Sequence, residues 1–396
     1  MKSQKQSRWT AIARWLDGLL DNRTADSAAT DSKVLLYINL PQDLELLLPI
    51  AKRLESTGYQ PSVVISSKAW KKSPQIRYRL QNGHFTETSV VSHKAVVAGF
   101  QPSLQGIKAV ITASESTAPA HKGPHALVKR ANRRGIATYT LQHGLENVGL
   151  TYFDAEYPVG KVMFASKTIF IWGAIAQLPE EIPAATQTKC VSVGCPKVIH
   201  SPESNVQSNI QIPGHEKEKR LVVVFENLHW SRYSDRYRQQ FLQDLSKTAI
   251  ACSKTTFVVK PHPTGLWLTQ NKPDKLPKTE NLVIADPQDP KWKAVTASTL
   301  IELADIVITT PSTIALDAAK TGCPVAVAAY DLSLPNFEPL PLLRQLSHWQ
   351  ALINEQKQLC LTQKSKQFAS SRLVPGSAVE RIVKKIAVDL KIDLQK

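Results

Sequence analysis

The chain has 396 residues, 42% of them hydrophobic and 21% charged, which is enough apolar material for real cores and argues against long disorder. Its 49 Lys and Arg outweigh 33 Asp and Glu, for a net charge of +16, so anionic partners are favoured: nucleotide-linked substrates or an anionic membrane surface. Nucleic acid is not expected, because no zinc spacing or aromatic-basic RNA-binding pattern appears. No apolar run reaches the roughly 18 residues of a membrane span, and the five cysteines form no CxxC pair, which fits a reducing cytosol.

In chain order, residues 8–20 (RWTAIARWLDGLL) carry Trp9, Ile12, Leu16, Leu19 and Leu20 at helical spacing. Such a basic amphipathic helix either lies on a membrane or docks on the protein itself. Nothing at this end has the continuous apolar core of a secretory signal. Residues 22–32 are polar and form a linker candidate. From residue 33 strand and helix patterns alternate. Strands are predicted at 34–38, 62–66, 107–112, 136–141, 168–172 and 191–194, with helices at 44–55 and 125–134; 67–105 shows no clean period. Residues 201–218 are polar, with Pro202, Pro213 and Gly214, and make the expected interdomain link. Strands at 221–225, 257–259, 282–285, 306–308 and 324–329 and helices at 232–251, 297–304 and 377–390 repeat the theme, around a proline-rich stretch at 331–345.

Alternating strands and helices at this spacing imply parallel sheets covered on both faces. The expected fold class is therefore α/β, with two Rossmann-like doubly wound domains facing across a cleft. The domains expected are a basic helix and linker (1–30), a first Rossmann-like acceptor domain (31–200) and a second, nucleotide-donor domain (215–396).

Chemistry is expected where strands stop at their carboxyl ends. Residues 304–319 read ADIVITTPSTIALDAA. An apolar strand meets Pro311, and Ser312 or Thr313 can cap a following helix, whose N–H groups and partial positive charge seat a phosphate. An ordinary capped turn is the alternative. Asp317, a turn further on, can accept hydrogen bonds from a ribose diol or be a surface helix residue. Residues 257–263 read FVVKPHP, so Lys260, His262 and Pro263 form a stiff loop suited to an anion. In the first half Glu115 follows a strand and can serve as general base on an acceptor hydroxyl, or merely end a turn. Asp43 is a second base candidate. His143 stands between Gln142 and Gly144, where the glycine lets a ligand approach. Glu226 and Asn227 end the strand at 221–225 and either touch the donor or form a turn. No Asp-x-Asp pair or HExxH occurs, so no metal site is expected, and charge on a leaving phosphate falls to protein groups.

TLQHG at 140–144, KPHP at 260–263 and STIALDA at 312–318 together resemble the two-domain GT-B glycosyltransferases of bacterial surface polysaccharide synthesis. The resemblance is nearest to CDP-glycerol glycerophosphotransferase-like enzymes and to CMP-sugar users such as sialyl- and Kdo-transferases. It implies nucleotide binding by the His-Pro pair and phosphate binding by Ser312 and Thr313. It also implies a metal-independent inverting transfer of a sugar or polyol phosphate from a CMP- or CDP-linked donor, or a UDP-linked one. The acceptor would be a glycan or lipid-linked hydroxyl, with no cofactor beyond the activated donor, in the cytoplasm or at the inner face of its membrane. Residues 301–329 also resemble UDP-N-acetylglucosamine 2-epimerases. That match implies a ribose role for Asp317, although those enzymes carry Ser-Gly-Gly where this chain has Ser312-Thr313-Ile314. A free UDP-sugar epimerase and a non-catalytic envelope scaffold are therefore the alternatives.

Overall fold

The computed structural model describes residues 33–73, 76–77, 80, 87–145, 162–198, 211–216, 218–262, 265–271, 279–292, 295–354 and 358–391. The basic helix expected at 8–20, the linker at 22–32, most of the interdomain link and Pro263 lie outside the described residues. The chain forms two compact units, one of residues 1–198 and 373–396, the other of residues 199–372.

The first unit holds a seven-stranded parallel sheet. Its strands are β1 (Lys33–Ile38), β2 (Gln60–Ser66), β3 (Glu87–Val91), β4 (Ile107–Thr112), β5 (Ala137–Leu141), β6 (Thr168–Ile171) and β7 (Cys190–Ser192). Their apolar, β-branched runs are what a strand buried on both faces requires. On β1, Leu36 and Ile38 meet Leu44, Leu47 and Leu48 of helix α1 (Asp43–Ser56). The alternate residues, Leu35 and Tyr37, pack with Val96 of α2 (His93–Ala98) and with Leu127 and Val128 of α3 (Lys122–Arg133). Period-two alternation thus feeds two helical layers.

The second unit holds a six-stranded parallel sheet. Its strands are β8 (Arg220–Glu226), β9 (Thr255–Pro261), β10 (Leu282–Ile284), β11 (Ile306–Thr309), β12 (Val325–Ala328) and β13 (Leu342–Leu343). Val222, Val224, Phe257, Val259, Ile306 and Ile308 share a core with Tyr237, Phe241 and Leu245 of helix α4 (Asp235–Ala251). Ser234 starts that helix by accepting a hydrogen bond from the Tyr237 N–H at 3.0 Å. After β11 comes the short helix α5 (Ile314–Lys320).

The sequence reading carried the second domain to residue 396, but the last helix, α6 (Ala378–Leu390), belongs to the first unit. The Val374 N–H donates to Trp172 O at 2.9 Å, and Tyr139 Oη donates to Asp389 Oδ2 at 2.9 Å. Arg381 donates to Val193 O at 2.7 Å, and Arg53 pairs with Glu380 at 2.8 Å. Buried Ile382, Val383 and Ile386 give α6 an apolar stripe, whose period is visible in sequence although its partner is not. Two short edge strands also lay in stretches without a clean pattern: β3 in 67–105 and β13 in 331–345.

Strand order places the functional edge. In the first sheet the order is β3-β2-β1-β4-β5-β6-β7, so the chain winds one way from β1 and the other way from β4. The second sheet runs β10-β9-β8-β11-β12-β13 and reverses between β8 and β11. At each reversal the loops leaving adjacent carboxyl ends diverge and open a crevice, where ligands of doubly wound sheets bind.

Candidate functional site

At the second unit's reversal, Asn227 follows β8 and Thr310-Pro311-Ser312-Thr313 follow β11. Asn227 ties the two loops together. Its N–H donates to Thr310 Oγ1 at 3.1 Å and its Nδ2 to Pro311 O at 3.2 Å. Its Oδ1 accepts from Thr310 Oγ1 and from Tyr233 Oη, each at 2.5 Å. Ser312 Oγ lies 3.0 Å from Thr309 Oγ1 and accepts from the Ile314 N–H at 3.3 Å. Thr313 is the residue before α5, and its side chain does not cap the helix.

His262 joins this edge from the next strand over. Its N–H donates to Glu226 O at 2.9 Å, and its carbonyl accepts from Gly265 and Leu266 in a tight turn. Leu266 sits at φ 47°, a left-handed conformation unusual for a residue with a side chain. The His262 ring packs on His229 with centroids 4.8 Å apart. A Cβ on Gly265 would lie 2.0 Å from His229 Cγ, so only glycine lets this loop close on the imidazole. Burial, and then the neighbouring His229, lower the His262 pKa to about 4, leaving a neutral imidazole at pH 7.

The other expected donor-side residues are placed differently. Lys260 turns its ammonium to Val295 O at 3.0 Å, and burial lowers its pKa to about 8. Asp317 lies in α5 and is only 2% exposed. The Glu226 carboxylate accepts the Leu228 N–H at 2.7 Å, and burial raises its pKa to about 7.

The first unit's reversal, between β1 and β4, is acidic. Asp43 is fully buried at the start of α1. Its Oδ2 accepts from the Asn39 N–H at 2.9 Å, the Leu40 N–H at 2.8 Å and Ser114 Oγ at 2.9 Å. Asp43 thus closes the loop between β1 and α1 on itself. Burial raises its pKa to about 6 against the effect of these bonds.

Glu115 is also buried, and both of its oxygens are occupied. Oε1 stands 2.5 Å from His125 Nδ1 and accepts the Ala165 N–H at 2.9 Å. Oε2 accepts from the Ser166 N–H at 3.2 Å and from Ser166 Oγ at 2.8 Å. This is the geometry of a carboxylate holding a loop. Gln142 is similarly committed. Its Nε2 donates to Gly144 O at 3.0 Å and its Oε1 accepts the Trp172 N–H at 2.8 Å.

His143, after β5, is partly exposed. It meets the buried His121 edge-on at 5.2 Å, and His121 Nδ1 lies 2.8 Å from Ser116 Oγ. Burial lowers the pKa of His143 to about 4 and that of His121 to about 3, so both imidazoles are neutral near pH 7. Sequence reasoning missed His229, His121 and the clamping role of Asn227 and Thr310. The only signal for Asn227, His229 and Thr310 was that each lies within three residues of a strand's end, and His121 carries no such signal. Among the described residues, no three His, Cys, Asp or Glu side chains gather as a metal-binding set.

No family model and no curated protein matches the chain. Among solved structures, Staphylococcus aureus MnaA with UDP matches with a TM-score of 0.66 at 15% identity, over 92% of this chain and 98% of that one. The UDP-GlcNAc 2-epimerase of Neisseria meningitidis bound to UDP-GlcNAc matches with a TM-score of 0.61 at 12% identity, over 90% and 100%. The wall teichoic acid polymerase TagF matches with a TM-score of 0.59 at 14% identity, over 98% of each chain. At these identities the likeness is one of fold, and the fold is the two-unit α/β architecture of GT-B proteins.

Proposed function

We propose that this protein is a nucleotide-dependent transferase. It moves a sugar or polyol phosphate from a cytidine nucleotide donor to the hydroxyl of a glycan or lipid-linked acceptor, without a divalent ion. The reading rests chiefly on the reversal between β8 and β11. There Asn227 and Thr310 fix two loops, and Ser312, His262 and His229 stand on the same carboxyl edge. Hydroxyls and neutral imidazoles donate hydrogen bonds to a phosphate, and an arriving anion raises the imidazole pKa, strengthening the contact. Likeness to structures holding UDP or UDP-GlcNAc supports a nucleotide-linked ligand, and likeness to TagF supports transfer.

In this reading the acceptor hydroxyl loses its proton to a general base. Its oxygen bonds to the anomeric carbon of a CMP-sugar or to the outer phosphorus of a CDP-polyol. The bond to the departing CMP breaks, and CMP leaves with the electron pair. His262 and Ser312 hydrogen-bond the leaving phosphate. Within the first unit, Glu115 is saturated with donors and Asp43 is fully buried, which leaves His143 as that unit's candidate for proton transfer. Glu115 holds the loop bearing Ser166 in place.

A UDP-sugar epimerase is the second reading, favoured by epimerase structures that match as well as TagF does, with a TM-score of 0.61. Incubation with CDP-glycerol or a CMP-sugar, with and without a glycan acceptor and in the presence of EDTA, separates the readings. Acceptor-dependent CMP release that survives EDTA is expected. Conversion of UDP-GlcNAc without an acceptor, with no CMP release from either donor, would replace the transferase with the epimerase.

A further inference from the structure

The α2–α3 surface of the first unit carries charge and apolar area that the proposed chemistry does not use. Helix α3 exposes Lys122, Lys129 and Arg133. With Ala126 these residues are spaced by four, three and four, so they share one face. Leu127, Val128 and Ala131 face the core. Helix α2 runs alongside. His93 lies 3.0 Å from the position a Cβ on Gly123 would take, and the Arg130 guanidinium is bonded to Gly99 O and Pro102 O. The outward side of α2 and the turn after it present Lys94, Val97 and Phe100, three residues apart. Val97 is 44% exposed and Phe100 is 62% exposed. A basic stripe and an apolar stripe therefore lie side by side.

The surrounding sequence is basic. Residues 92–135 hold seven Lys or Arg and one acidic residue, Glu115, which is buried beneath. The chain's own basic N-terminus is a poor occupant, because residues 1–20 contain four Lys or Arg and one Asp. Like charges would repel.

We propose that the α2–α3 face docks on an anionic lipid bilayer, with Lys94, Lys122, Lys129 and Arg133 over the headgroups and Val97 and Phe100 at the acyl boundary. A cluster of four cations flanking exposed apolar side chains fits anionic lipid, and the apolar stripe favours a membrane over a nucleic acid. The inference does not depend on the proposed transfer reaction.

The test is co-sedimentation of the full chain with vesicles of equimolar phosphatidylglycerol and phosphatidylcholine, and with vesicles of phosphatidylcholine alone. Binding only to the first is expected, weakening as salt shortens the screening length. Each surface cation contributes about 1 kcal/mol, so Lys129→Glu/Arg133→Glu should weaken binding by about tenfold or more. Val97→Ser/Phe100→Ser should weaken it at constant salt. These positions are exposed, so both variants should melt with the wild type and keep its nucleotide-induced thermal shift. The proposal is overturned if the wild type ignores anionic vesicles. Variants that bind like the wild type, or homopolymer RNA bound more tightly than vesicles with no effect of the serine substitutions, would also overturn it.

Discussion

The two strand-order reversals share a geometry and differ in chemistry. Between β1 and β4 the chain places its own carboxylate, Asp43, on the backbone N–H groups of Asn39 and Leu40 in the loop before α1. Between β8 and β11 a carboxylate is also present, Glu226, which accepts the Leu228 N–H of its own loop, but here the loops add Asn227, Thr310, Ser312 and a pair of histidines. Both edges hold a buried acid, and the second sets hydroxyls and a pair of imidazoles beside it. A doubly wound sheet thus fixes where a crevice opens, and a few residues at the strand ends decide what it accepts.

The largest expected effect falls on His143, after β5 of the first unit. His143→Asn should lower kcat by about 10²–10⁴, the range for loss of a positioned base, with little change in Tm. Unchanged turnover would remove His143 from the chemistry. Glu115→Ala should do the reverse. It strands buried donors and its partner His125, so stability falls by about 3–5 kcal/mol while activity per folded molecule is retained. Denaturant melts combined with active-site titration separate the two outcomes. At the second edge, Asn227→Leu leaves the Thr310 and Tyr233 hydroxyls without their acceptor and should cost about 1–3 kcal/mol of stability. It should also abolish the nucleotide-induced thermal shift; a shift of wild-type size would show that this clamp is not part of the site.

The smallest effect is a difference in pH slope. His121 and His262 have folded pKa values of about 3 and 4, below the ordinary 6.5. The unfolded chain therefore takes up protons that the native histidines refuse, and their contribution to stability is lost as pH falls from about 6.5 to 4. Asp43 opposes this. Its folded pKa, about 6, exceeds the ordinary 3.8, so its contribution grows as pH falls through 6 and is complete below about 4. Asp43→Asn removes that opposition while keeping an oxygen for the three donors. The variant should be more stable than the wild type at pH 7 and lose stability more steeply below pH 6.5. Equal slopes in urea melts would mean that Asp43 titrates normally.

Much of this was legible in the sequence. The β-branched runs at 34–38, 221–225 and 306–308 are central parallel strands, and punctuation at their ends marks both crevices. Elements whose partners are distant were hidden. Helix α6 has a readable apolar stripe, yet only tertiary contact assigns it to the first unit, and β13 is two residues long. Side-chain roles were legible by position and not by state. Glu115 and Asp43 both follow the reversal strands, but whether an oxygen is free depends on Ala165, Ser166 and Ser114, which fold in from elsewhere. The sequence reads Lys260 as part of the loop after a strand at 257–259, but β9 runs on to Pro261, so Lys260 lies within the strand and its ammonium bonds Val295 O.

The central claim is that the edge formed by β8, β9 and β11 holds a nucleotide's phosphates. Its most direct test is calorimetric titration of CDP into the wild type and into His262→Ala at pH 7. The account predicts saturable binding by the wild type and binding about tenfold weaker in the variant, the loss of one phosphate hydrogen bond worth roughly 1.4 kcal/mol. Absence of binding to the wild type, or equal affinity in the two proteins, would contradict it.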